Sequence, residues 1–354
     1  MKTFQIVKIV VAVLLTGFMS ACTNSKESES EIKAVEVDLN KALPLTENVQ
    51  SVDVMTLKDS ETGHLPGHLS KVVFRRDSIF VLDMFKDNGL YVYDSDGKII
   101  NSFVNKGEGP EEFQIVWDFN VTPNNIILFD YRSDEPFIFL DRNLNFLRRD
   151  KVGDCKDHFF YDSKNDSWWF DRGNYAYDGS DSKLIYKKGS GSKTMLRTPE
   201  NLKNITFENW HSFAELSGDS LLYMPTTENV VYLCEPDSAE PMYRLDFKGK
   251  WYEFKKGDTN EKTNDLWNRI ADEGYVNTLD ILSDGRNVLH TFNSGDRHYV
   301  LIINTDTYAS RLYYLTEEEH ENLGDAVAYH KGQIIFGVPG KLVKVSMKRD
   351  SDRS

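Results

Sequence analysis

The sequence predicts an all-β protein, a six-bladed β-propeller whose sixth blade is closed by an N-terminal strand. Three observations predict it. A unit of turn, apolar strand, turn and apolar strand recurs six times along 354 residues. The last copy is one strand short. An alternating polar and apolar segment near the start is available to supply the missing strand. A period of a few tens of residues with several strands per unit marks a radial array or a solenoid.

The chain opens with a basic stretch holding Lys2 and Lys8, followed by an apolar run from Ile9 to Leu15. That run is too short to span a bilayer and reads as a signal peptide over residues 1–21. It ends in Met19-Ser20-Ala21-Cys22, a small residue just before a cysteine. This resembles the lipobox of bacterial lipoproteins, with Met19 where leucine is usual. The resemblance implies cleavage before Cys22 and lipidation there, and several acyl chains anchor a folded domain stably. Residues 22–33 are too polar to fold and read as a flexible tether. The stretch Ser25-Lys26-Glu27-Ser28-Glu29 loosely resembles the acidic export signal of Bacteroidota surface lipoproteins.

The segment Ser51-Val52-Asp53-Val54-Met55-Thr56-Leu57 alternates as a half-buried strand does. The repeated apolar strands then start at Ile79, Ile126, Trp168, Leu221, Val288 and Ile334. Turns such as Asp77-Ser78, Asn124-Asn125 and Asp284-Gly285 precede them and supply side-chain hydrogen bonds or positive φ. Second strands begin at Leu90, Phe137, Leu184, Val230, Tyr299 and Leu342. A further strand follows in five units: Ile99–Phe103, Phe146–Arg148, Thr194–Arg197, Met242–Leu245 and Arg311–Leu315. After Leu342–Ser346 only a charged tail remains, residues 349–354 at its end. Residues 51–57 are therefore expected to complete the sixth blade, which removes an exposed sheet edge. The propeller is assigned to residues 34–348.

The fourth-to-fifth interval is the longest, 67 residues, and holds an insertion near 249–274. Within it, Asn260 to Asp272 reads as a short helix with Asn260 as N-cap. Leu266, Trp267, Ile270 and Ala271 share one face, expected to pack on the propeller rim.

Lys106-Gly107-Glu108-Gly109-Pro110-Glu111-Glu112-Phe113 lies between the first two blades. It resembles the Gly-x-Gly-Pro-Gly-Glu-Phe signature of NHL-type propellers, with Glu111 in place of the second signature glycine. Upstream, the strand, Asp-Gly turn and strand of residues 90–100 follow the same pattern. With the lipobox, the mature chain resembles the six-bladed β-propeller lipoproteins of Bacteroidota. The resemblance implies an outer-membrane location and allows a link to nutrient uptake or envelope signalling. In its own chemistry the Gly-Pro segment is structural. It lacks the lysine and following helix of a phosphate-binding loop.

The formal charge is −14 and becomes more negative by two when Lys2 and Lys8 leave with the signal peptide. Nucleic acid is therefore not an expected partner, since binding it rests on Lys and Arg neutralising phosphate. Apart from Cys22, only Cys155 and Cys234 are present. They fall in different blades and are read as buried, unpaired thiols without metal-type spacing.

Propeller ligands usually bind where the innermost strands open onto the central channel. Those strands are expected to begin near Leu69, Asp118, His158, His211, Asn277 and Asp325, and the five polar members are the candidate channel-mouth binding residues. Two imidazoles and two carboxylates suit a divalent metal, and Asp with Asn suits Ca²⁺. The plain alternative is a water-filled channel with polar walls. His64, His68, His290, His298, His320 and His330 show no ligand spacing and read as surface or strand residues. Trp168 and Trp267 are candidate partner surfaces for a sugar ring or a protein, with burial as the ordinary alternative for Trp168. Asp237-Ser238-Ala239 resembles the short O-glycosylation motif of exported Bacteroidota proteins. No nucleophile elbow is present, and no catalytic residue is assigned.

The sequence thus points to a monomeric, envelope-anchored propeller lipoprotein that binds a small ligand, a glycan or a protein. The rival reading is a Ca²⁺-dependent propeller hydrolase or lyase acting at the channel mouth.

Overall fold

Each repeat folds because its apolar strands alternate with Asp, Asn and Gly turns that reverse the chain. The computed structural model describes residues 32–58, 65–86, 88–207, 209–218, 220–255, 257–258 and 262–348. The signal peptide, Cys22, His64, Asn260 and the tail 349–354 lie outside the described residues. The chain divides into two units at residue 33, the second beginning at Ala34. The second carries the fold.

The described strands begin with β1 (Lys33–Glu36), β2 (Leu43–Pro44) and β3 (Val49–Thr56). Blade one is β4 (Lys71–Arg75), β5 (Ser78–Asp83), β6 (Gly89–Asp94) and β7 (Ile99–Phe103). Blade two is β8 (Val116–Val121), β9 (Asn125–Asp130), β10 (Phe137–Asp141) and β11 (Phe146–Asp150). Blade three is β12 (Phe159–Asp162), β13 (Ser167–Asp171), β14 (Ser182–Lys188) and β15 (Gly191–Arg197). Blade four is β16 (Phe213–Glu215), β17 (Leu221–Tyr223), β18 (Val230–Glu235) and β19 (Ser238–Asp246), with β1 on its outer edge. Helix α1 (Thr263–Asp272) follows. Blade five is β20 (Asp280–Ser283), β21 (Asn287–Ser294), β22 (Arg297–Asn304) and β23 (Ser310–Thr316), flanked by β2. After helix α2 (Glu317–Leu323) come β24 (Asp325–His330), β25 (Gln333–Val338) and β26 (Lys341–Met347).

The sixth blade is completed from the other end of the chain. Strand β3 pairs antiparallel with β26, from Lys341 opposite Thr56 to Met347 opposite Val49. Leu57, 1 % exposed, packs beyond β3 with Leu69, Val72, Ile79 and Leu342. This ties the first blade to the sixth. The described structure is therefore an all-β six-bladed propeller with two short helices.

Burial follows the strands. The second strand of each blade is apolar on both faces because it lies between the neighbouring blades. Trp168 and Trp169, both in β13, are 6 % and 4 % exposed and face different clusters. Trp168 stacks among Phe137, Phe159 and Phe170, so this candidate partner surface lies inside the core. Cys155 and Cys234 are free and buried.

The Gly-Pro segment has a packing role. Gly107 N–H donates to Phe113 O and Gly109 N–H to Glu112 Oε2. A Cβ on Gly107 would lie within 2.5 Å of the Glu112 carboxyl carbon, so a side chain there would have to displace the Glu112 carboxylate that caps Gly109 N–H. Phe113 is fully buried in the cluster between blades one and two.

Candidate functional site

All six innermost strands line one central channel of about 440 Å³. Its mouth lies where these strands begin. A cavity of about 110 Å³ opens there, between the approaches to blades four, five, six and one. Of the five candidate mouth residues, His211 and Asp325 line it, whereas Asp118, His158 and Asn277 do not.

Asp118 and His158 form a closed polar knot. Asp118 Oδ1 accepts from Lys71 Nζ at 2.6 Å, and Oδ2 lies 3.3 Å from His158 Nδ1. His158 Nε2 donates to Asn209 O at 2.8 Å and lies 3.3 Å from Asp157 Oδ1. Asp157 also accepts from the Trp117 indole. The knot joins β4, β8 and the loops leading to β12 and β16. Burial opposes both charges, but each holds the other. Lys71 and His158 keep the Asp118 carboxyl well below its ordinary range. Asp157 and Asp118 outweigh burial and raise His158 to about 10. His158 is thus a structural imidazolium.

His211 is its opposite. Its side chain is 6 % exposed, and neither ring nitrogen has a hydrogen-bond partner. Burial, then the charges of Lys71 and His158, lower it to about 3, so the ring is neutral. It lines both the cavity and the channel. Asp280, the first residue of β20, lies 3.9 Å from His211 Nδ1. Asp280 Oδ1 accepts the backbone N–H groups of Trp210 and His211 at 2.5 and 2.9 Å. Burial still raises its carboxyl to about 6.

Asp325 begins β24 on the cavity's outer lip and accepts from His320 Nε2 at 2.9 Å. That bond first, and the cavity's histidines after it, lower the Asp325 carboxyl despite partial burial. His320 stacks on His298 with ring centroids 3.5 Å apart. Burial and His320 lower His298 to about 4. Asn277 is buried three residues before β20 and is not in the cavity wall; Asp280 stands there instead.

Trp267 does line the cavity. Leu266 and Ile270 of α1 are buried against Leu202, Phe207 and Phe254, which fixes α1 to the rim and leaves Trp267 at the opening. Lys262 precedes α1 without a side-chain cap. Across the mouth, Trp210 meets Phe85 edge-on at 5.5 Å, and Phe85 meets His68 at 4.9 Å. Phe85 is 55 % and Trp210 38 % exposed.

His68, His298 and His320, which linear spacing gives no reason to group, therefore meet His211 at one opening. His68 leads into blade one, His298 stands at the start of β22 and His320 on α2 between blades five and six, and blade register is the signal that could have found them. Among the described residues, no three His, Cys, Asp or Glu side chains converge to hold a metal ion. No helix among them is long and apolar enough to cross a membrane.

No curated protein matches the sequence significantly. Among solved structures, a Bacteroides fragilis protein assigned as exported superposes with a TM-score of 0.70 at 12% identity, covering 90% of this chain and 100% of its own. A DUF4221 member from Bacteroides vulgatus gives 0.54 at 9% identity, covering 85% and 97%. Virginiamycin B lyase from Staphylococcus aureus gives 0.46 at 9% identity, covering 84% and 99%. At such identities the likeness is one of fold. The sequence itself matches the family DUF5128, 6-bladed beta-propeller, over residues 23–334. The chain belongs to this family of six-bladed propellers.

Proposed function

We propose that this protein is an exported binding propeller, held in the outer membrane by lipid on Cys22, that takes a hydroxylated ligand such as a sugar residue at the channel mouth. The observation that carries the reading is His211, buried against the cavity with both ring nitrogens unpartnered. A neutral imidazole offers one donor and one acceptor, which matches a pair of ligand hydroxyls. Leaving such a group buried and unsatisfied costs about 1–3 kcal/mol, which a ligand would recover. Trp210 and Trp267 at the opening offer aromatic faces for a sugar ring. The cavity of about 110 Å³ holds roughly four waters, so it suits one ring or ring substituent of a larger ligand.

Calorimetry of the mature protein against a panel of mono- and oligosaccharides tests this. His211→Leu and Trp210→Ala should each weaken binding about tenfold, the loss of one well-made polar or stacking contact. Absence of any binder in the panel, or binding by both variants as tight as that of the wild type, would reject it. For the anchor, Cys22→Ala should move the exported protein from the detergent to the aqueous phase on Triton X-114 partitioning. Unchanged partitioning removes that part.

One observation favours a second reading, a hydrolase or lyase in the same cavity. A carboxyl raised to about 6 lies 3.9 Å from a neutral histidine, a separation across which a proton passes only through a bound water or a substrate hydroxyl set between them. Turnover of a bound sugar by the wild type, lost in Asp280→Asn, would favour this over binding alone.

A further inference from the structure

The opposite end of the channel carries charge of the other sign. A cavity of about 260 Å³ opens there beside the hairpin turns of blades one to four. Arg75 ends β4, Arg76 sits in the turn after it, and Arg142 comes from the turn between β10 and β11. All three line the cavity. Such a cluster stands out in a chain with 42 basic and 56 acidic side chains.

Carboxylates do little to neutralise it. Arg75 pairs with Glu215 of blade four, on the opposite side of the ring. Among the described residues, Arg76 and Arg142 have no carboxylate partner. Asp162 also lines the cavity, but its oxygens accept from Lys164 N–H at 2.9 Å and Asn165 Nδ2 at 2.6 Å. The guanidiniums repel one another: burial and then Arg142 lower Arg75, and burial and then Arg76 lower Arg142. Arg142 is nonetheless held in place. Its Nη1 donates to Thr122 O at 3.3 Å, and its guanidinium lies 4.9 Å above the Phe80 ring. Positioned planar forks are suited to two-point binding of an oxyanion.

We propose that this basic cavity binds an oxyanion, a phosphate, sulfate or carboxylate group, through Arg76 and Arg142, with Glu215 competing for Arg75. The site is separate from the sugar site and stands or falls independently of it.

Calorimetric titration of the mature protein with inorganic phosphate, sulfate or glucuronate, each against sodium chloride at matched ionic strength, tests the proposal. A saturable signal is expected for at least one of the three. Arg142→Gln and Arg76→Gln should each weaken it about tenfold or more, as the loss of a charge-assisted hydrogen bond does. Arg76 is exposed, so its variant reads the site even if Arg142→Gln disturbs the packing on Phe80. Glu215→Gln should tighten binding several-fold by releasing Arg75. Preference for phosphate or sulfate points to a phosphorylated or sulfated ligand, and preference for glucuronate to a uronic acid. Responses equal to chloride, or a Glu215→Gln variant that binds more weakly, overturn the proposal.

Discussion

Replacing His158 by glutamine tests whether charge, rather than shape, ties the first blades together at the channel mouth. The imidazole and its partner Asp118 are 4 % and 1 % exposed, so solvent screens their interaction little. Burial alone would strip the proton from His158. Asp157 and Asp118 outweigh it and hold the proton up to about pH 10, against 6.5 in the open chain. The folded value lies above the unfolded one, so the contribution is complete below pH 6.5 and is lost as pH rises through about 10. At ~1.4 kcal/mol per pH unit between the two titrations, it is worth about 4 kcal/mol near neutrality.

Urea unfolding of wild type and His158→Gln, stepped from pH 6 to 10, reads this directly. Other groups titrate over that range in both proteins and cancel in the difference. The stability gap should be about 4 kcal/mol near pH 7 and close by pH 10. Asp118 would still have Lys71 at 2.6 Å in the variant, so the knot is loosened rather than abolished. A gap that stays constant from pH 6 to 10 would refute the reasoning, because a residue acting through shape has no reason to lose its effect there.

Two further outcomes follow from the structure. His211 titrates at about 3 in the fold against 6.5 in the open chain, so its contribution is present above pH 6.5 and lost as pH falls toward 3. His211→Leu should therefore flatten the acid side of the melting-temperature profile, and an unchanged acid side would exclude a buried neutral ring. Leu57→Ala should cost about 2–5 kcal/mol by chemical denaturation, as buried leucine truncations do, since it removes a 1 % exposed side chain at the ring closure. Val52→Ala within the closing strand β3, where Val52 is 55 % exposed, should stay within about 0.5 kcal/mol of wild type; equal losses would mean that closure does not depend on this packing.

The scaffold was legible because its signals are local. Apolar runs such as Ile126–Phe129 and turns such as Asp284-Gly285 lie within a few residues of each other, and the missing outer strand of blade six pointed directly to residues 51–57. The mouth was legible only in outline. Asp118, His158, His211 and Asp325 stand near the starts of innermost strands, but whether an imidazole is charged or neutral depends on neighbours from other blades. Nothing near His158 or His211 in sequence separates an ion-paired histidine from an unpartnered one. Asn277 and Asp280 are three residues apart, and the loop before β20 puts only the second in the wall. The arginine cavity was hidden because net charge averages over the surface, while Arg76 and Arg142 meet only through the packing of blades one and two.

The location of the mouth cavity follows from a difference among the repeats. In blades one to three the second strand ends in a buried aspartate: Asp83, Asp130 and Asp171. Asp83 accepts the Gly67 and His68 N–H groups, and Asp130 those of Gln114 and Ile115. Asp83 and Asp130 thus fasten the loop leading into their own blade, whereas Asp171 Oδ1 accepts from Gly173 N–H and from the Tyr223 hydroxyl of blade four. In blade four the same place is taken by Met224, whose N–H pairs with Ser212 O as Asp171 N–H pairs with His158 O. Methionine cannot accept two N–H groups, and the next blade supplies the substitute: Asp280 takes those of Trp210 and His211. Blades five and six continue through Phe292 and Val338 with no aspartate, and Phe292 and Phe336 line the cavity instead. With the loop clasped from the neighbouring blade, the His211 ring is left without a partner of its own. The cavity therefore opens mainly beside blades four to six, where the second strand lacks the aspartate, with His68 to Ser70 before blade one completing its wall, and that wall is where substitutions should alter binding while leaving the propeller folded.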